Sequence, residues 1–268
     1  MNTRLLSRVV DGLCPSRHVT MPVHLMYTVA CAATVLGAWQ LGATAIPKPG
    51  EVFGALATLW CERGLFDHLV SSFALNVEAI AWSSALALAL AYLTVVPAVR
   101  PFVTVLSKLR FTGLVGWGFV LTLAADNGRQ LELWMLVFGM TPFFVTSMAA
   151  VVVEIPKVRF DHARTLKLSG WRLVWEVVIV GTLDRALEVL RQNAAMGWMM
   201  LTMVEGVVRS SGGLGVLMLD AQKHLQLDAV FALIGVVLVV GATQDYALAW
   251  LRRVVCPAAD LASERSAS

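Results

Sequence analysis

The chain has 268 residues, 58% of them hydrophobic and only 15% charged, with a formal net charge of +3. A soluble domain carries about 25% charged residues, so this composition excludes a soluble enzyme and describes an integral membrane protein. The small, scattered positive charge gives no basic patch for nucleic acid.

The expected elements follow in chain order. Residues 1–22 form a polar, basic segment. Leu5, Leu6, Val9, Val10 and Leu13 fall on one helical face opposite Arg4 and Arg8, which suits either a short interfacial helix or a frayed terminus. The first apolar run after it is long enough to stay in the membrane rather than be cleaved as a signal. Six spans are expected, since about 20 apolar residues cross a bilayer. Their approximate ranges are Val23–Ala43, Ser71–Val96, Leu114–Ala125, Leu131–Val153, Ala186–Val204 and Val230–Trp250. Pro47 and Pro49 break the chain after the first, and an amphipathic piece runs from Glu51 to Trp60. The third is the shortest, either alone or with Phe102–Leu106 as an earlier turn. Asp126-Asn127-Gly128 is a turn signal before the fourth. The membrane domain is thus 23–255, with a tail at 256–268. The architecture is all-α and polytopic.

Lysine and arginine placement orients these spans. With the N-terminus inside, fifteen of the 21 basic residues face the cytoplasm, five face outside, and Arg191 lies within a span. The stretch from Lys157 to Leu183 then falls on the cytoplasmic side. It is too polar for lipid, carries Lys157, Arg159, Arg164, Lys167 and Arg172, and reads as a helical hairpin over 157–175.

Chemistry-bearing motifs are missing. No GxxxxGK[ST] loop can cradle a nucleotide, and there is neither HExxH nor GxSxG. The five histidines are dispersed, and Cys14, Cys31, Cys61 and Cys256 lack ligand or redox spacing. No catalytic residue, metal site or cofactor is expected on this chain. The fifth span instead has a polar face through Arg185, Glu188, Arg191, Gln192, Ala195, Met199, Thr202 and Glu205. Ionisable groups in a membrane face a partner or a water-filled path. Two readings stand for Arg191: a pathway charge, or a group neutralised by Glu188 at i, i+3 and snorkelling to the interface. Glu205 is either a pathway residue or a solvated acid at the outer boundary. Ser210 to Gly215, SSGGLG, reads as a plain outer loop, and Asp245, near the inner end of the last span, needs a polar partner or water.

The order of these features, from Ile46 to Pro257, resembles the permease subunits of ABC importers of the nitrate, alkanesulfonate and taurine class. IPKPGEVFGAL, FDHLVSSF, VLRQNAAMGWMMLTMVEG and the GGLG before LDAVFALIGVVLVVGATQDYALAWLRR carry the resemblance. The family's cytoplasmic loop has the form EAA-x3-G-x9-I-x-L-P. Here Asp161, His162 and Ala163 stand at its first positions, Lys167 at the glycine, Val177 and Ile179 at the aliphatics and Val180 at the proline. Asp184 stands where a second proline is common. Gly170 offers a shifted turn and Ser169 a cap for the next helix. A continuous helix through 161–175 would exclude that hairpin.

The resemblance implies a type I importer permease core with about six spans and a cytoplasmic N-terminus, in a bacterial cytoplasmic membrane. It implies docking of ABC ATPase subunits at Asp161, His162, Ala163, Arg164, Lys167, Gly170 and Trp171, with ATP and magnesium held by those partners. A second permease copy or homologue and a solute-binding protein complete the implied assembly. The implied solute is small and anionic or zwitterionic, with Arg191, Trp198 and Glu205 as path candidates. Two other classes remain: a non-transporting membrane scaffold of the same fold, and a motor-independent secondary transporter or channel. An intramembrane enzyme ranks last.

Overall fold

The structure is a computed structural model that describes residues 21–41, 46–210 and 212–257. The expected N-terminal interfacial helix and most of the tail lie outside the described residues. Among the described residues every regular element is helical.

Helix α1 (Met21–Leu41) meets the bundle through Trp39. Its ring stacks on Phe231, and its indole N–H donates to the Pro47 carbonyl at 3.0 Å. Helix α2 (Pro49–Glu62) starts at a proline, where a missing N–H costs nothing, and the Glu51 carboxylate accepts the Lys48 N–H at 2.9 Å. Gly64, at φ +61°, turns the chain into α3 (Leu65–Leu93). Three helices then pack into the centre: α3, α6 (Gly128–Val153) and α9 (Leu183–Val208). Helices α10 (Leu214–Lys223) and α11 (Leu227–Val255) close the bundle. Helix α6 begins with Asn127, whose side chain accepts the Gln130 N–H at 2.9 Å, as an N-cap residue should.

In lipid, helices associate by close packing and hydrogen bonding rather than by the hydrophobic effect. The α3 face turned inward is accordingly small and polar: Ser72, Asn76, Ala79, Ser83, Ala87 and Ala91 are all fully buried. Phe144, Met140, Leu136 and Leu201 fill the space opposite. Three helices are both long and apolar enough to cross a membrane: α3, α6 and α11. Helix α9 has the same length as α6 but carries the ionisable face.

The third expected span is found where expected but as short helices. Residues 114–125 supply only α5 (Leu114–Thr122), nine residues long, or about 14 Å at 1.5 Å per residue, against a hydrocarbon core of about 30 Å. It follows another nine-residue helix, α4 (Arg100–Lys108), and a 3-10 turn at Leu109–Phe111. Lys108, Arg110 and Gly113 break what would otherwise be one apolar run. Both short helices lie against α6.

Candidate functional site

The hairpin sits at one end of α9. Helix α7 (Lys157–Thr165) follows Pro156, and α8 (Gly170–Leu173) returns. The helix does not run through 161–175, so the turn exists. Its geometry is a Schellman close: the Leu168 N–H reaches the Ala163 carbonyl at 3.1 Å, and the Lys167 N–H reaches that of Arg164 at 2.9 Å. This close needs a left-handed residue at its corner, and Lys167 occupies it with φ +59°. Thus the position aligned with the family glycine adopts a glycine conformation while carrying a side chain. Gly170 takes a second positive φ, +57°. Ser169 stands at the cap position of α8 but its side chain makes no capping bond.

Val180, at the position aligned with the proline, behaves oppositely. Its N–H bonds the carbonyls of Trp175 and Glu176, which a proline could not do. The chain therefore passes from α8 through a π-helical turn (Val174–Ile179) and a 3-10 turn (Val180–Thr182) into α9 without a break.

The hairpin has a core of its own. Ile155, Ala163, Val174, Val177 and Val178 are buried together, with Tyr92 of α3 and Val152 of α6 packed against them. Arg159 reaches the Gly181 carbonyl at 3.4 Å, and Arg185 pairs with Glu154 at 3.0 Å. The hairpin is therefore fixed to the ends of three long helices. What it leaves exposed is cationic and apolar: Lys157, Arg164, Lys167 and Arg172 with Val158, Leu166 and Trp171, the last 68% exposed. Asp161 and His162 are exposed beside them, whereas Ala163 is buried. The one acid among these exposed groups, Asp161, is already paired with Arg164 at 3.2 Å.

Directly behind the hairpin, five charged groups join α9 to α11. Arg252 grips Asp184 with two nitrogens, at 2.6 and 3.2 Å, and Glu188 at 2.8 Å. Glu188 also accepts from Arg191 at 3.0 Å, and Arg191 lies 3.7 Å from Asp245. The signs alternate along this chain, and each side chain is partly shielded from solvent. Arg191 is thus placed between Glu188 and Asp245, which supplies the polar partner Asp245 was expected to need.

Further along α9, Trp198 is buried and donates its indole N–H to Gln244 of α11 at 2.8 Å. Asn76 of α3 donates to the same oxygen at 3.1 Å. Gly197 makes room for this meeting, since a Cβ there would stand 2.7 Å from the Asn76 Oδ1.

Glu205 lies at the far end of α9 and is 1% exposed. It is not a solvated boundary acid. Its carboxylate accepts the Ser72 hydroxyl at 2.6 Å and the Gly215 N–H at 2.9 Å, and Ser72 in turn accepts the Leu214 N–H at 2.8 Å. Both N–H groups open α10, so side chains from two other helices cap α10 and an acid faces its positive end. His68 accepts the Gly213 N–H at 2.8 Å, and the fully buried Glu132 accepts the Ser210 hydroxyl at 2.9 Å. Ser210 and Gly213 to Gly215, read from the sequence as part of a plain loop, are therefore tied to the three central helices. A Cβ on Gly213 would collide with the Glu205 carboxylate, and one on Gly215 with the Thr202 carbonyl.

The three path candidates thus lie along one helix in three separate polar groups, while the seven hairpin residues fall within one exposed element. Sequence reasoning missed Ser72, His68, Glu132, Gln244 and Arg252. Glu132 had a signal, an acid inside an apolar span. The others are ordinary polar residues whose partners are 46 to 168 positions away.

With three helices long and apolar enough to cross a bilayer and a compact helical hairpin before the polar helix α9, the chain has the fold of a multi-pass membrane protein. The structure is similar to a chain of the MetNI methionine ABC transporter, solved in inward-facing conformations, with a TM-score of 0.56 at 17% identity over 74% of this chain and 98% of that one. No family model matches the chain, and no curated protein matches it in sequence.

Proposed function

We propose that the chain is the membrane-spanning subunit of an ATP-driven importer and that residues 157–175 receive its cytoplasmic ATPase. The observation that carries this is the hairpin: a rigid, separately packed element, joined without a break to α9, whose exposed side combines cations with Val158, Leu166 and Trp171. An element of that kind transmits a push to the helices on which it is fixed. In this reading two permease chains, identical or homologous, form the path, and a solute-binding protein delivers solute to the outer face. ATP and magnesium act on the ATPase partners, whose closure moves the hairpins together and opens the spans outward. Hydrolysis resets them, and the permease does no bond chemistry of its own. The resemblance to the nitrate, alkanesulfonate and taurine class supports a small anionic or zwitterionic solute.

The test is recovery of an ATPase with the tagged chain from native membranes. Wild type is expected to bring down a P-loop ATPase, and Trp171→Ala or Arg164→Glu to lose it by about ten-fold or more, since exposed aromatic and arginine anchors carry much of an interface's energy. Absence of any ATPase with wild type favours the scaffold instead. Transport that survives ATP depletion under an ion gradient favours the secondary carrier.

A further inference from the structure

The polar group in the middle of the bundle leaves two amide atoms without a partner among the described residues: the buried Asn76 Oδ1 and the Gln244 nitrogen. An indole N–H can only donate, so the Gln244 atom 2.8 Å from Trp198 is the oxygen. Asn76 donates to that same oxygen. With its oxygen taken twice, the Gln244 side chain is locked, and its NH2 has no partner among the described residues. Gln244 is 8% exposed and lines a groove of about 490 Å³ between α3, α9 and α11.

The rest of that groove is apolar. Phe73, Ile80, Leu190 and Leu248 line it, and no charged residue does. Its other polar members, Ser84 and Thr243, donate their hydroxyl hydrogens to the carbonyls of Ala81 and Val239, at 3.0 and 2.7 Å. They offer only lone pairs to the groove. The volume is that of a small-molecule site, with a few fixed polar groups set in apolar walls.

We propose that this groove is a binding site for an uncharged small solute with an apolar body and a carbonyl-type acceptor, received by the NH2 of Gln244. A carboxylate or ammonium would enter without a counter-charge, which is costly in so apolar a setting. A neutral carboxamide satisfies both polarities: its oxygen accepts from Gln244, and its nitrogen donates to Ser84 or Thr243. Trp198 and Asn76 are positioning residues that hold the amide with its donors outward. The assignment rests on the importer reading only in putting the groove on a solute's route. It also departs from the anionic or zwitterionic solute that the family resemblance implies.

The test needs no ATPase, so its failure is separable from failure of ATPase recovery. The full chain in phosphatidylcholine nanodiscs is titrated with hexanamide, hexanoate and hexylammonium, and bound ligand is read by saturation-transfer NMR. Hexanamide is expected to give a saturable signal, with the two ions weaker by about ten-fold or more. Ala247→Phe, an exposed position on the groove wall, is expected to abolish it while leaving the amide network intact. Gln244→Met is expected to weaken it about ten-fold, the loss of one net hydrogen bond. A hexanamide signal unchanged by Ala247→Phe overturns the proposal, as does hexanoate binding equally well. A wild-type dimer that Ala247→Phe splits into monomers overturns it too, by assigning the groove to a second copy.

Discussion

The two ends of α9 solve opposite problems. At one end the hairpin turns its charges and its tryptophan rings outward, and its corner is a lysine in a conformation that favours glycine. At the other end, Ser210, Gly213, Leu214 and Gly215 turn polar groups inward onto Glu132, His68, Ser72 and Glu205, and glycine is required by lack of space rather than by dihedral angle alone. An exposed hairpin can carry an imperfect corner, because the Lys167 side chain stands in the open. A buried junction cannot, because each unmet donor costs about 1–3 kcal/mol. On the proposed function, the difference separates an element kept for a partner from one kept for the bundle.

The comparison breaks most readily at the buried end. Glu205→Ala would leave the Ser72 hydroxyl and the Gly215 N–H without acceptors and open a cavity beside Gly213. Two orphaned donors and the cavity together cost about 4 kcal/mol. We expect a large fall in the unfolding midpoint of the purified protein, with Glu205→Gln recovering part of it through its remaining oxygen. A Glu205→Ala variant as stable as wild type would mean that the far loop is held by something other than this carboxylate.

This end also shows how far the sequence could be read. Hydrophobic run length gave the long helices: Ser71–Val96 is observed as Leu65–Leu93, Leu131–Val153 as Gly128–Val153, and Val230–Trp250 as Leu227–Val255. Those elements are fixed by local composition, so they are legible. The hairpin was legible for the same reason, as a basic island between apolar runs. The capping of α10 was not, because its caps come from Ser72 and Glu205 rather than from the residue before it. Local rules also predicted a Ser169 cap that does not form, since the Schellman close and Gly170 already set that corner. The third span was legible as an apolar stretch but not as two pieces, because Lys108, Arg110 and Gly113 divide it into two short helices.

At the hairpin end, Val180 is the next point of strain on the comparison. Proline there would restore the family pattern. It would also remove the N–H that bonds Trp175 and Glu176 and set its ring against the carbonyl four residues earlier, at a cost of about 3 kcal/mol. We expect Val180→Pro to lower the unfolding midpoint and to raise protease cleavage between Leu166 and Gly170, as α7 and α8 lose their fixed link to α9. Unchanged cleavage would show that the buried cluster of Ile155, Ala163, Val174, Val177 and Val178 holds the hairpin by itself.

Lys167→Gly should have the smallest effect and the opposite sign. A left-handed backbone costs a residue with a Cβ about 1–2 kcal/mol. Glycine relieves that, but it also gives the unfolded chain more freedom to lose, so the net gain should be about 0.5–1 kcal/mol. The two hydrogen bonds of the Schellman close come from backbone groups and survive the change. Stability should therefore rise slightly while the hairpin keeps its shape. The informative measurement is made on the same variant: recovery of the ATPase. If Lys167 is kept for its charge, Lys167→Gly gains stability and loses partner, and Lys167→Asn, which tolerates the left-handed region but carries no charge, loses partner equally. If both variants bind the ATPase as wild type does, the exposed lysine is tolerated rather than used, and the recognition surface contracts to Leu166, Trp171 and the arginines beside them.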